Sequence, residues 1–462
     1  MIKLWVLIAG IALSDSSAAD YPSTYDSPPH AAFVLTNAIV DVGEGQGEFE
    51  GWVSVADGKI VGIGMMDDPI PGDVLEINAG GRWLTPGVID VHSHLGDYPS
   101  PGYRAHSDGN EATSPVTAEV WAEHSVWPQD PQFPLALKGG VTTLQVLPGS
   151  ANLFGGRSVV LKNIWSRTVQ GMKFPGAPYG LKMACGENPK RVYGSRSQSP
   201  STRMGNFAGY RKAWIDAQEY QRKWVRFEKA LVEYELWRTS NDGETEYREP
   251  PSPPKRNLQM ETLVGVLKGE ILVHNHCYRA DEMAQIIDLS REFGYQVTAF
   301  HHAVEAYKIG DLLAANNVCA AMWADWWQFK LESFDGIKEN VAMVQAAGAC
   351  AIVHSDSARG IQRLNQEAAK AMAAGQRLGL RVDATVALTW ITRNAARALG
   401  IVDQTGTLAL GKMADMVLWS HPPMSVYARA ETVFIDGVRR LDRAAELAPV
   451  TDFELGQREE VF

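Results

Sequence analysis

The stretch Leu84–Ser100 reads LTPGVIDVHSHLGDYPS, and it sets two histidines, His92 and His94, one residue apart after a run of apolar β-formers. Residues i and i+2 of a strand point to the same face, so two imidazoles at a strand end converge on one point. Neutral imidazole suits zinc and similar divalent metals. The pair alone is weak evidence, because His274 and His276 repeat it. The surrounding pattern is what gives it weight.

After Leu84, short apolar runs alternate with longer helical patterns. GVIDVH, GVTTLQVLP, GLKMAC, ILVHNH, QVTAFHH, VCAAMWAD and ACAIVHSD read as buried parallel strands, several of them ending in polar or metal-binding groups. Seven such strands, with an eighth read less clearly, predict an α/β (β/α)8 TIM barrel with its chemistry at the strand ends. Those ends supply His274 and His276, His301 and His302, His354 and Asp356, and Lys182, Cys185 and Glu187.

Both flanks of the barrel are β-rich. FVLTNAIVDV and GWVSVADGKIVGIG alternate apolar and polar residues, with a hairpin turn at Asp57-Gly58. TGTLALGKMADMVLWS and ETVFIDGVRRL do the same near the end. The expected organisation is a small discontinuous β-sandwich from 31–83 plus 401–441 and a barrel from 84–400. A helical insertion interrupts the barrel at about 195–258. Within it Tyr210, Trp214, Ala217, Tyr220, Trp224, Phe227, Leu231 and Tyr234 recur every three or four residues, a helix face that packs into the core or, less simply, covers the site.

The net charge of −11 over 462 residues disfavours nucleic acid and anionic membranes as partners. The first residues carry Lys3, an apolar core LWVLIAGIAL and the small residues Ser17-Ala18-Ala19, a signal-peptide pattern ending at residue 19. The expectation is a periplasmic or secreted chain with no membrane span once that segment is removed; self-association stays open. Each of the four cysteines reads by default as a small buried hydrophobe.

LTPGVIDVHSHL, GGVTTLQVLPGSAN, VHSDS and GTLALGKMADMVLW together resemble the amidohydrolase superfamily, nearest its imidazolonepropionase-related branch, over roughly 32–437. DGNEATSPVT, GENPKRVYG and RLNQEAAKA resemble a subgroup with secreted and propeller-fused members. The resemblance implies divalent metal, most simply one or two Zn²⁺, held by His92, His94, His276, His302 and Asp356. A further ligand comes from Glu187 or from a carboxylated Lys182, with Glu187 preferred because it lies at the strand end and is already a carboxylate. Asp356 would move the proton, with His302 assisting. Tyr278, Arg279, Asp325 and Trp326 are candidates for binding a small-molecule substrate; for Arg279 an ion pair with Asp281 or Glu282 competes. The Gly-rich PGSANLFGGR (148–157) lacks the spacing of a phosphate cradle and reads as a tight active-site loop. The implied reaction is hydrolysis of a C–N bond in an amide, cyclic amide or dipeptide. Deamination of a ring amine is the runner-up, and a non-catalytic metal or ligand binder the distant third.

Overall fold

The structure is a computed structural model that describes residues 21–240 and 247–445. The signal-peptide segment, 1–19, lies outside the described residues. Strands β1 (Phe33–Val40), β2 (Phe49–Ala56), β3 (Lys59–Met65) and β4 (Leu75–Pro86) open the chain. The barrel strands follow: β5 (Val88–Ser93), β6 (Val141–Val146), β7 (Phe154–Lys162), β8 (Gly180–Ala184), β9 (Leu272–Cys277), β10 (Ala299–His302), β11 (Cys319–Met322) and β12 (Cys350–Val353). β13 (Met416–Trp419), β14 (Ala430–Ile435) and β15 (Val438–Asp442) complete the described strands.

Strands from the two ends of the chain lie in one seven-stranded sheet, ordered β15-β14-β13-β4-β1-β2-β3, with β13 paired antiparallel to β4. The sheet curls, because β3 returns to the segment before β13: Ile60 N–H donates to Lys412 O at 2.9 Å and Gly411 N–H to Ile60 O at 2.8 Å. Leu35, Val53, Ile60, Leu84 and Met416 fill the space it encloses. The arrangement is thus a single curled sheet rather than two separate stacked ones.

The second sheet is a nearly closed eight-stranded barrel in the order β12-β11-β10-β9-β8-β7-β6-β5. The seven strands legible in the sequence run parallel where they adjoin one another. The eighth, β7, is antiparallel to both β6 and β8. It takes in the second half of the stretch expected to be a loop, since Phe154 to Lys162 are all buried strand residues. The seam between β5 and β12 closes by single contacts. Asp90 accepts hydrogen bonds from Ser355 N (3.2 Å) and Ser355 Oγ, and Asp356 N–H donates to His92 O at 3.0 Å. These bonds place the start of the next loop, and with it Asp356, beside His92.

Two further departures concern packing. All four cysteines are paired: Cys185, the residue after β8, with Cys277 at the end of β9, and Cys319 of β11 with Cys350 of β12. The predicted insertion helix spans Arg203–Ser240. Its buried residues Tyr210, Trp214, Ala217 and Tyr220 pack into the main core, with Trp214 stacked on Tyr295 at 4.5 Å. Tyr210 also donates to Ala184 O at the end of β8. The helix therefore buttresses a strand that carries the site, and none of its residues lines the cavity described next.

Candidate metal centre

At the mouth of the barrel a cavity of about 350 Å³ is lined by His92, His94, Lys182, His276, His302 and Asp356, with Tyr278, Glu187 and Lys330 among its outer wall. Strand geometry explains the inner set. On β8, Leu181 and Met183 belong to the hydrophobic core outside the strands, so Lys182 points inward. Its Nζ comes within 3.5 Å of His92 Nε2. His301 also faces inward. The next residue should face away, but His302 takes a positive φ of 72° and turns its ring into the cavity as well. Asp356 likewise has a positive φ, 47°. Left-handed backbone costs energy at non-glycine residues and clusters at functional sites.

Asp356 is the centre of the cluster. Its Oδ1 lies 3.4 Å from His94 Nε2 and 3.6 Å from His92 Nε2, and its Oδ2 lies 3.9 Å from His302 Nδ1. Two groups bring ligand atoms within 4.8 Å of one another: His92, His94 and Asp356, and His92, His302 and His354. His276 stands at the edge, its ring 4.5 Å from that of His302 and its Nε2 3.3 Å from Asn188 Nδ2.

Burial controls the charge states. It lowers His92, His276, His301 and His302 far below the usual imidazole range, and brings His274 and His354 down to about 3. All six are therefore neutral at physiological pH and offer lone pairs. Burial also lowers Lys182 to about 8, opposed by Asp356. For Asp356 burial acts to raise the carboxyl, but the hydrogen bond and charge of His94, followed by His354 and Lys182, outweigh it and keep Asp356 ionised.

The expected residues separate on this geometry. His92, His94, His302 and Asp356 converge, and His276 adjoins them. Glu187 lines the cavity but lies outside the two groups whose ligand atoms converge. It begins the helix Glu187–Gly194 beyond Gly186, whose φ of 75° and contact with the Glu332 carboxylate leave no room for a Cβ. Its carboxylate faces Lys330 Nζ at 3.9 Å on the cavity wall. Lys182 stands deeper, beside His92. Tyr278 lines the cavity, with its ring stacked 5.2 Å from that of His302. Arg279 pairs with Asp281 at 2.9 Å, and Asp325 pairs with Lys370 at 2.9 Å, and neither lines this cavity. Trp326 stacks on Trp323, which stacks on His302 in turn. His354, which the sequence offers at the same strand end as Asp356, belongs to the cluster. Asp90, Asn188 and Lys330 carried no signal in the sequence that set them apart from ordinary polar residues.

The chain matches the Amidohydrolase family model over 335–440. It shares 32% identity over 387 residues with Amidohydrolase tasK of Hapsidospora irregularis, covering 81% of this chain but only 38% of that longer protein. An imidazolonepropionase of Rhizobium rhizogenes is 22% identical, covering 92% of this chain and 94% of its own. The crystal structure of an amidohydrolase from Thermotoga maritima MSB8 superposes with a TM-score of 0.76 at 33% identity, covering 89% of this chain and all (100%) of that one. With the barrel, the imidazole–carboxylate cluster and this full-length match in agreement, the chain belongs to the amidohydrolase family.

Proposed function

We propose that the cavity hydrolyses a C–N bond of a small amide, cyclic amide or dipeptide, with one or two divalent cations, Zn²⁺ first among them, held at its floor. The observation that carries this is a set of buried donors with no protein partner. His302 Nδ1 and both ring nitrogens of His354 lack a hydrogen bond, and His302 and His354 are no more than 2% exposed. Buried polar atoms are normally paired, and neutral imidazoles beside an ionised carboxylate are what such a cation requires. His92, His94, His302, His354 and Asp356 would hold the first ion. Lys182, carboxylated by addition of CO₂ to its amine, and His276 would complete the site for a second. When bound, a divalent cation lowers the pKa of water from about 15.7 to about 7 and polarises a carbonyl.

The chain's own groups do the rest. Asp356 accepts the proton of the attacking water and passes it to the leaving nitrogen. Tyr278, whose phenol burial pushes up, stays protonated and presents a donor to the cavity. Lys330 Nζ, 3.8 Å from the Tyr278 ring centroid, adds positive charge to the same wall. The two disulfides support an oxidising compartment, periplasmic or extracellular. The test is zinc-loaded protein screened against N-acyl amino acids, dipeptides and cyclic amides. Turnover lost on chelation and regained with zinc is the expected result. Zinc-loaded protein that released only ammonia from ring amines would overturn the reading.

A further inference from the structure

Three histidines bonded to one another run from the cavity floor into the barrel. His92 Nδ1 lies 2.9 Å from His301 Nδ1, and His301 Nε2 lies 2.9 Å from His274 Nδ1. All three rings are buried. At the cavity end, His92 Nε2 faces Asp356 and Lys182. At the inner end, His274 Nε2 has no partner among the described residues. Gly180 makes room there, since a Cβ on it would fall 2.7 Å from His274 Cδ2 and 2.9 Å from Gln145 Nε2. Gln145 Oε1 is itself buried without a partner.

A neutral imidazole carries one N–H and one lone pair, so in such a chain the tautomer of one ring fixes the next. Two arrangements satisfy both hydrogen bonds. With the protons directed inward, His92 Nδ1–H donates to His301 and His301 Nε2–H donates to His274. His92 Nε2 is then a lone pair open to the cavity. With the protons directed outward, His274 donates to His301 and His301 to His92, and His92 Nε2–H points at Asp356. The number of protons is the same in both. Only the inward arrangement lets His92 ligate a cation. His94 has no such choice, because its Nδ1 sits 2.8 Å from the carbonyl of Leu147, which can only accept.

We propose that His92, His301 and His274 form a tautomer relay in which cation binding at His92 Nε2 turns all three rings, so that His301 and His274 are positioning residues for the metal. The relay rests on the metal reading above. It makes one half of the histidine pair preset, His94, and the other half switchable, His92.

The test uses the full chain with ¹⁵N-labelled histidine. As zinc is added, the Nε2 resonance of His274 is expected to move from the lone-pair region to the N–H region, although His274 is two hydrogen bonds away from the ion. His301→Phe, which removes both nitrogens, is expected to weaken zinc binding about 10- to 100-fold in competition with a chelator. His301→Gln, whose amide oxygen can accept from His92, is expected to recover part of that loss. A His274 resonance that ignores zinc, or His301→Phe binding zinc as tightly as the parent, overturns the relay. If His301→Phe does not fold, the resonance in the parent protein decides alone. A parent protein that takes up no zinc overturns both the metal reading and the relay, whereas zinc uptake with a silent His274 overturns the relay only.

Discussion

Two buried charged clusters sit in different parts of this molecule, and only one of them is finished. Where the barrel meets the curled sheet, Lys162 Nζ lies 2.8 Å from Asp436 Oδ2 and 3.5 Å from Asp415 Oδ1. Asp415 also accepts from Thr405 Oγ1 and from Asp436 N–H, both at 2.9 Å, and Tyr25 donates to Asp436. Each charge there has an opposite charge and the hydrogen bonds that complete it. At the barrel mouth the opposite holds. Lys182 is as deeply buried, yet no carboxylate stands within ion-pair distance of it among the described residues, and imidazole nitrogens around it lack partners. A network that satisfies itself is structure. One that stays open at a cavity is built for something that arrives.

The comparison breaks first at Asp356. Asp356→Asn keeps the shape and removes the carboxylate proposed as the base, so turnover on an accepted substrate should fall by about 10² to 10⁴. The thermal midpoint of the metal-free protein should hold, because Asp356 belongs to the unfinished cluster. A variant retaining full turnover would show that the proton moves elsewhere.

The two buried lysines make the sharpest pair. Lys162→Met strands Asp415 and Asp436 and should cost about 3–5 kcal/mol of unfolding free energy, read in a denaturant titration. Lys182→Met removes an unpaired buried charge, so the metal-free protein should be as stable as the parent or more so. Its cost should appear in zinc stoichiometry and turnover. Equal destabilisation by both would erase the distinction drawn above.

Acid sharpens it next. The six buried histidines are lowered in the fold, to about 3 for His274 and His354. Below pH ~6.5 the unfolded chain takes up protons that the folded chain refuses, so stability falls as pH falls. Each such histidine removes about 1.4 kcal/mol per pH unit until its folded value is reached. Asp415 carries the opposite sign, because burial raises it against the pull of Lys162. Chelated protein should therefore lose midpoint steeply between pH 6.5 and 5, and bound zinc should flatten the loss. A flat profile for the chelated protein would mean that the rings are accessible to solvent.

How much of this was legible follows from which signals are local. The paired histidines at the end of β5 and the acid after β12 lie where apolar runs stop, and such stops can be read directly. The direction of β7 could not be read. A strand buried on both faces shows no alternation, and FGGRSVVLK carries glycines that suggest a loop. The inward face of Lys182 was legible from alternation alone, since Leu181 and Met183 are apolar on either side of it. The cysteine pairs depend on strand adjacency: Cys319 and Cys350 are register partners across β11 and β12. The Asp90–Ser355 seam is legible only once the barrel closes.

The smallest effects belong to two residues that the sequence put forward for substrate and that stand in ion pairs. Arg279 and Asp325 both end in ion pairs near the surface, with Asp281 and Lys370. Exposed pairs of this kind are worth about 0–1 kcal/mol, because water and salt screen them. Arg279→Ala and Asp325→Asn should therefore shift the unfolding free energy by no more than that, and should leave kcat and KM close to the parent values. Tyr278 is the control, since it directly precedes Arg279 in the chain and its ring lines the cavity. Tyr278→Phe keeps the ring against His302 and removes only the hydroxyl, so a loss confined to kcat would locate the donor, and a parallel loss in Arg279→Ala would restore the arginine to the site.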